Sequence, residues 1–169
     1  MTVNIRILNE SNAQMYQELR LNALKINPDA FGSTFEREVL FTIETVIERI
    51  QPTKDKFVLG AFDDGGSLVG IVTFARENGL KTTHKGNVYG MYVSPKMRGL
   101  GVGKSLLLEL ISKARDCDGV EQINLTVVAA NDSAKRLYTS LGFEVYGVER
   151  NAMKFNGQYY DEEFMVLRL

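Results

Sequence analysis

Three glycines and three cations fall within nine residues of this chain: Lys96, Arg98, Gly99, Gly101, Gly103 and Lys104. Glycine at those positions removes side chains where a backbone must come close to an anion. An apolar-periodic stretch follows, so the run opens a helix, whose unpaired N–H groups and positive dipole end suit a negative ligand. Cations crowded at a helix start are unfavourable unless an anion neutralises them. Two nucleotide motifs fail on spacing. A P-loop ends as Gly103-Lys104-Ser105 does, but its opening glycine would have to stand at Arg98. The G-x-G-x-x-G pattern, begun at Gly99 and Gly101, meets Lys104 where it needs a third glycine. Cys117 has no Cys/His/Asn set around it in sequence, and no metal-ligand spacing occurs.

The elements that must hold this turn can be read from periodicity. Val3, Ile5 and Ile7 alternate as in a strand, and Ser11 with Gln14 has capping-box form for a helix ending near Asn27-Pro28. A second helix is expected from about Thr42 to Ile50, stopped by Pro52. Strands are expected at 56–62 and 68–74, joined by Asp63-Asp64-Gly65-Gly66, with a polar loop at 77–86 before a strand at 88–93. Leu106, Leu107, Leu110, Ile111 and Ala114 mark the helix after the glycine turn. Residues 123–128 read as a buried strand and 131–141 as a helix closed by Gly142, with Phe143 making the accompanying contact. Two last strands flank Asn156-Gly157. The order predicts an α/β fold with a mixed sheet, antiparallel across hairpins and parallel across helices.

With 169 residues, 20 Lys+Arg against 21 Asp+Glu, and a formal net charge of -1, the chain has no global basic footprint for nucleic acid. Its single cysteine excludes a disulfide framework. No stretch reaches the ~18 apolar residues of a membrane span, and the N-terminus lacks a signal pattern. One domain over residues 1–169 is expected, in a reducing compartment, which in a bacterium is the cytoplasm.

Arg98-Gly99-Leu100-Gly101-Val102-Gly103 resembles the Arg/Gln-x-x-Gly-x-Gly/Ala signature of the GNAT family of N-acetyltransferases. Asn131-Asp132-Ser133-Ala134-Lys135-Arg136-Leu137-Tyr138-Thr139-Ser140-Leu141-Gly142-Phe143 is similar to a second segment of that family. The motifs cover roughly residues 88–146, and a weaker similarity lies in 28–36. The resemblance implies a single-domain α/β fold with a mixed, splayed β-sheet flanked by helices. It further implies acetyl-CoA as co-substrate, no metal, and an amine-bearing acceptor, a small molecule by preference. Residues 98–104 would hold the pyrophosphate, that is Arg98, Gly99, Leu100, Gly101, Val102, Gly103 and Lys104. Met91, Tyr92 and Val93 would pair with pantetheine as an added strand, and an amide near Met91 or Tyr92 would meet the oxyanion. Asn131, Ser133 and Tyr138 would contact the cofactor, with Tyr138 as the general acid for the leaving thiolate. Asn131 and Tyr138 stand seven positions apart, nearly on one helix face and about 10 Å apart along the axis.

The proton acceptor for the amine is not specified. The family often carries a glutamate on the strand matching 88–93, and this chain has no acid there. Glu36, Glu38, Asp161, Glu162, Glu163 and His84 are the candidates, with surface charge as the ordinary alternative for each. Tyr159 and Tyr160 cannot both line one pocket. Acetylation of a protein N-terminus or lysine, and a non-catalytic acyl-CoA sensor, are the rival readings. No nucleic-acid or membrane partner is expected, and the edge of the final hairpin offers a route to a homodimer.

Overall fold

The computed structural model describes residues 2–169. Strand β1 (Asn4–Ile7) leads through a 3-10 turn into α1 (Ala13–Ile26). The capping box here is not Ser11 with Gln14. Asn9 accepts from Ser11 N, and the Asn12 side chain accepts from Asn9 N at 3.0 Å, so the box sits on the 3-10 turn that precedes the helix. Next come a one-turn α2 (Phe35–Glu38), absent from the sequence reading, and α3 (Ile43–Ile50), capped by Thr42. Strands β2 (Lys56–Phe62), β3 (Leu68–Arg76) and β4 (Lys85–Val93) form a meander. The last begins three residues earlier than periodicity indicates, because residues of the 77–86 loop pair with β3 and β5. Then follow α4 (Val102–Arg115), β5 (Gln122–Val128), α5 (Asp132–Ser140), β6 (Glu144–Phe155) and β7 (Gln158–Arg168).

The seven strands run β1-β2-β3-β4-β5-β7-β6. Only β4 and β5 are parallel, and they pair over just Lys85–Asn87 with Gln122–Asn124. Strands β1 and β2 are also joined across helices, yet pair antiparallel, against the expectation, because the chain through α1 to α3 returns to the same end of the sheet. Beyond Asn87 they part, while β5 stays paired to β7 as far as Val128. The predicted splay is thus a short parallel contact with an open end.

A β-bulge sets the geometry of that end. Ile71 faces Tyr92 and Thr73 faces Tyr89, so Gly90 and Met91 together oppose Val72. Gly90 has φ 60, a backbone state that glycine tolerates and most residues do not. The inserted residue flips strand parity: Val88 is buried in the core under α4, whereas Tyr92, four residues on, is buried in the core under α1 and α3. The α4 core joins Leu106, Leu107 and Leu110 to Leu59, Phe74, Ile123 and Met165. The opposite core joins Tyr16, Leu19 and Ile50 to Val58, Phe62 and Ile71. Each such side chain contributes roughly 1.5–3 kcal/mol of burial. No helix among the described residues is long and apolar enough to cross a membrane.

Candidate active site

Two cavities meet where β4 and β5 part. One, of about 470 Å3, is bounded by the glycine turn, the end of β4 and the start of α5. The other, of about 610 Å3, lies on the α1/α3 side of the sheet and reaches Glu162 on β7. Phe31, Met91, Asn131 and Tyr138 border both, so the cavities are adjacent, with these side chains at the waist between them.

The glycine turn follows β4 through a short 3-10 turn at Pro95–Met97. Gly101 is the N-cap of α4 with φ 82, a left-handed conformation, and no side chain caps the helix. The first intrahelical bond is Ser105 N to Gly101 O at 3.0 Å, which leaves the amides of Val102, Gly103 and Lys104 as anion donors. Lys104 and Lys96 are exposed beside them. Arg98 is differently engaged. Its Nε donates to Val93 O at 3.0 Å and Nη2 to Asn27 Oδ1 at 2.9 Å, so it braces the turn against β4 and the end of α1. Leu100 is 54% exposed and lies off the cavity wall. Val102 borders the cavity while anchoring the α4 core.

Met91, Tyr92 and Val93 all border the smaller cavity. The Tyr92 ring packs 6.3 Å from that of Phe31, and the Arg98 guanidinium lies 5.4 Å above it. Its buried hydroxyl has no hydrogen-bond partner among the described residues. Free helix-start amides, an open strand edge and an orphaned hydroxyl on one cavity wall fit a long, phosphate-bearing, amide-rich ligand such as acetyl-CoA.

Helix α5 presents the remaining groups. Asn131 caps it, accepting from Ala134 N at 3.3 Å and Ser133 Oγ at 3.4 Å, and still borders both cavities; Ser133 borders the smaller one. The helix ends in a Schellman motif, with Phe143 N donating to Tyr138 O at 3.1 Å and Gly142 N to Thr139 O at 3.0 Å. The hydrophobic contact of that motif is Phe143 against Tyr138, an edge-on pair with centroids 5.9 Å apart. The helix stop thereby holds the Tyr138 ring in place. Burial pushes the Tyr138 phenol up to about 12, so it stays protonated at neutral pH.

Among the candidate acids, the structure separates Glu162 from the rest. It borders the larger cavity, and burial together with Glu149, its cross-strand neighbour, raises its pKa. Glu38 is not a surface charge. It is 1% exposed and ion-paired to Arg20 Nε at 2.9 Å and Arg49 Nη1 at 2.6 Å. Burial pushes its carboxyl up, but hydrogen bonds from Arg20, Ser33 and Arg49 prevail and hold it at about 2. Such a group is a poor base. Asp161 accepts from Asn151 N at 2.8 Å in an irregular part of β6, and Glu163 pairs with Lys135 of α5 at 3.3 Å on the opposite face of the sheet. Glu36 and Tyr160 border a third cavity of about 570 Å3 between the 28–36 loop and the final hairpin, which shares Phe31 and Gly32 with the larger one, while Tyr159 is exposed. His84 precedes β4 at the closed end of the splay, where its carbonyl accepts from Glu121 N. The 77–86 loop does not border the larger cavity. Cys117, raised in pKa by burial, lies past the far end of α4.

Three cations of the larger cavity were missed from sequence: Arg20, Arg49 and Lys56. One signal existed, since Arg20 interrupts the apolar face formed by Tyr16, Leu19 and Ala23. Lys56, the first residue of β2, carried none.

Residues 14–143 match the family described as Acetyltransferase (GNAT) family. The chain is 29% identical over 100 residues to the L-amino acid N-acetyltransferase AaaT of Escherichia coli, covering 59% of this chain and 61% of that protein. It is 37% identical over 93 residues to the N-alpha-acetyltransferase RimI of Mycobacterium tuberculosis, covering 55% and 56%. The matches therefore span less than two thirds of either relative. In fold, it superposes on a GNAT-family acetyltransferase of Streptococcus pneumoniae with TM-score 0.89 at 22% identity, over 99% of this chain and 100% of the other. A GNAT protein of Kribbella flavida gives 0.84 at 22%, over 99% and 98%. Sequence motif, family match and splayed sheet agree, and this chain belongs to the GNAT acetyltransferase family.

Proposed function

We propose that the protein transfers an acetyl group from acetyl-CoA directly to the primary amine of a small acceptor. The observation that carries this reading is the waist: Tyr138 and Met91 border both the cavity beside the glycine turn and the cavity that ends at Glu162. Acetyl-CoA, when bound, supplies an activated thioester. The amides of Val102, Gly103 and Lys104 would hold its phosphates, and the open edge of β4 from Met91 to Val93 would align its arm. An amide at the bulge is suited to stabilise the negative charge that develops on the carbonyl oxygen. Glu162 takes the proton of the acceptor ammonium, freeing the nitrogen lone pair to form the new C–N bond. Tyr138, whose phenol burial keeps protonated even in alkaline solution, gives its proton to sulfur as the C–S bond breaks, and the second proton that the nitrogen sheds on becoming an amide restores the phenol through solvent.

The 28–36 loop, through Phe31 and Gly32, borders the larger cavity, which favours a small acceptor over a protein surface. The similarity to RimI keeps an α-amino group of a polypeptide as the second reading. CoA release measured against a panel of small amines and short peptides tests both. Acceptor-dependent release with small amines is expected. Binding of acetyl-CoA with no release for any acceptor would instead identify a sensor.

A further inference from the structure

The α1/α3 wall of the acceptor cavity is over-supplied with positive charge. Arg20 and Arg49 share one carboxylate, Glu38, and Lys56 has no acidic partner among the described residues. Arg20 donates through Nε and Nη2 at 2.9 and 3.0 Å, leaving Nη1 free. A Cβ built on Gly90 would lie 3.7 Å from that Nη1, so the free nitrogen faces the bulge of β4. Lys56 is half-buried, and burial together with the neighbouring Arg49 lowers its pKa. Like charges gathered on a partly desolvated wall are unfavourable until an anion joins them. Across the cavity stands the opposite sign, Glu162 with Glu149 paired beside it. The acceptor cavity is thus cationic on one side and anionic on the other.

We propose that the acceptor is an amine that also bears an anionic group, and that Lys56, with Arg49 and the free Nη1 of Arg20, selects it. The proposal rests on the acetyl-transfer reading above and names the substrate class of that site. Lys56 lies opposite Ala75 of β3, and Ala75 opposite Asn87 of β4, which places it two strands away from the bulge. It is therefore a specificity residue, remote from the acetyl group.

The test compares wild type with Lys56→Gln on matched acceptor pairs. One pair is an α-amino acid and its amide, another an ω-amino acid and the alkylamine of equal length, and a third phosphoethanolamine and ethanolamine. The pairs show which anion, and at what separation from the amine, the site takes. In at least one pair the wild type should favour the anionic member by about ten- to a hundredfold in kcat/KM, as expected for one charge-assisted contact. Lys56→Gln should erase that preference through KM, leaving neutral amines and the KM for acetyl-CoA unchanged. Glutarate, an anion without an amine, should raise the melting temperature of the wild type and not of Lys56→Gln. Equal use of both members in every pair, or an equal loss on both in Lys56→Gln, would overturn the proposal. If no amine releases CoA, the acetyl-transfer reading fails, and the glutarate melts alone decide whether the anion site exists: identical melts reject it.

Discussion

At the scale of single residues, the proposed chemistry divides between a phenol and a carboxylate whose pKa values are both raised, for different use. A phenol at about 12 remains a proton donor through the neutral range. Tyr138→Phe keeps the ring contact with Phe143 and removes only the hydroxyl, so acetyl-CoA affinity should persist while kcat falls by about 10²–10⁴. A kcat in Tyr138→Phe equal to that of the wild type at every pH from neutral to alkaline would remove Tyr138 from the reaction. Glu162 must be ionised to accept a proton, so activity should rise with pH through a value above the ordinary glutamate range, set by burial and by Glu149. Glu162→Gln should abolish that acidic limb as well as lower kcat, and Glu149→Gln should move the limb to lower pH. A limb indifferent to both changes would assign the proton to another group.

At the scale of elements, a strand bulge and a helix start do what side chains cannot. Gly101 caps α4 in the left-handed region, and any Cβ there is strained by about 1–2 kcal/mol even though nothing crowds it. The strain bears on the peptide groups that would face the pyrophosphate. Gly101→Ala should therefore weaken acetyl-CoA binding in calorimetry, with a modest loss of stability and an unchanged KM for the acceptor. The α5 stop works in the same manner. Gly142 and Phe143 end the helix, and in ending it they fix the ring of Tyr138. The sequence signature of this segment is thus one structural device, in which the cap and the proposed acid are the same contact.

At the scale of the whole molecule, one buried carboxylate ties the N-terminal helices together. Glu38 at the end of α2 holds Arg20 of α1 and Arg49 of α3, and both arginines border the larger cavity. Removing its charge leaves two cations without their counter-ion, so Glu38→Gln should cost about 3–5 kcal/mol in urea unfolding at neutral pH. Because the folded pKa, about 2, lies below the unfolded value, this contribution is present above about pH 4.5 and is lost as pH falls towards 2. The stability gap between wild type and Glu38→Gln should therefore narrow on acidification, and a constant gap would refute the ion-pair account. The sequence by itself determined the element order apart from the one-turn α2, the helix ends at Asn27 and Gly142, the glycine turn and the α5 motif, since each rests on neighbours within a few positions. It left a set of acids undivided, took Glu38 for a surface charge, misplaced the first capping box by two residues and passed over Lys56. Only the tertiary structure decided these matters. Which acid faces the larger cavity depends on strand parity in β7, where Glu162 and Glu163 point to opposite faces, and on a bulge in β4 whose one local mark is Gly90. Burial and charge partners are set by elements far apart in the chain, and those long-range contacts divide the near-neutral total into a cationic and an anionic wall.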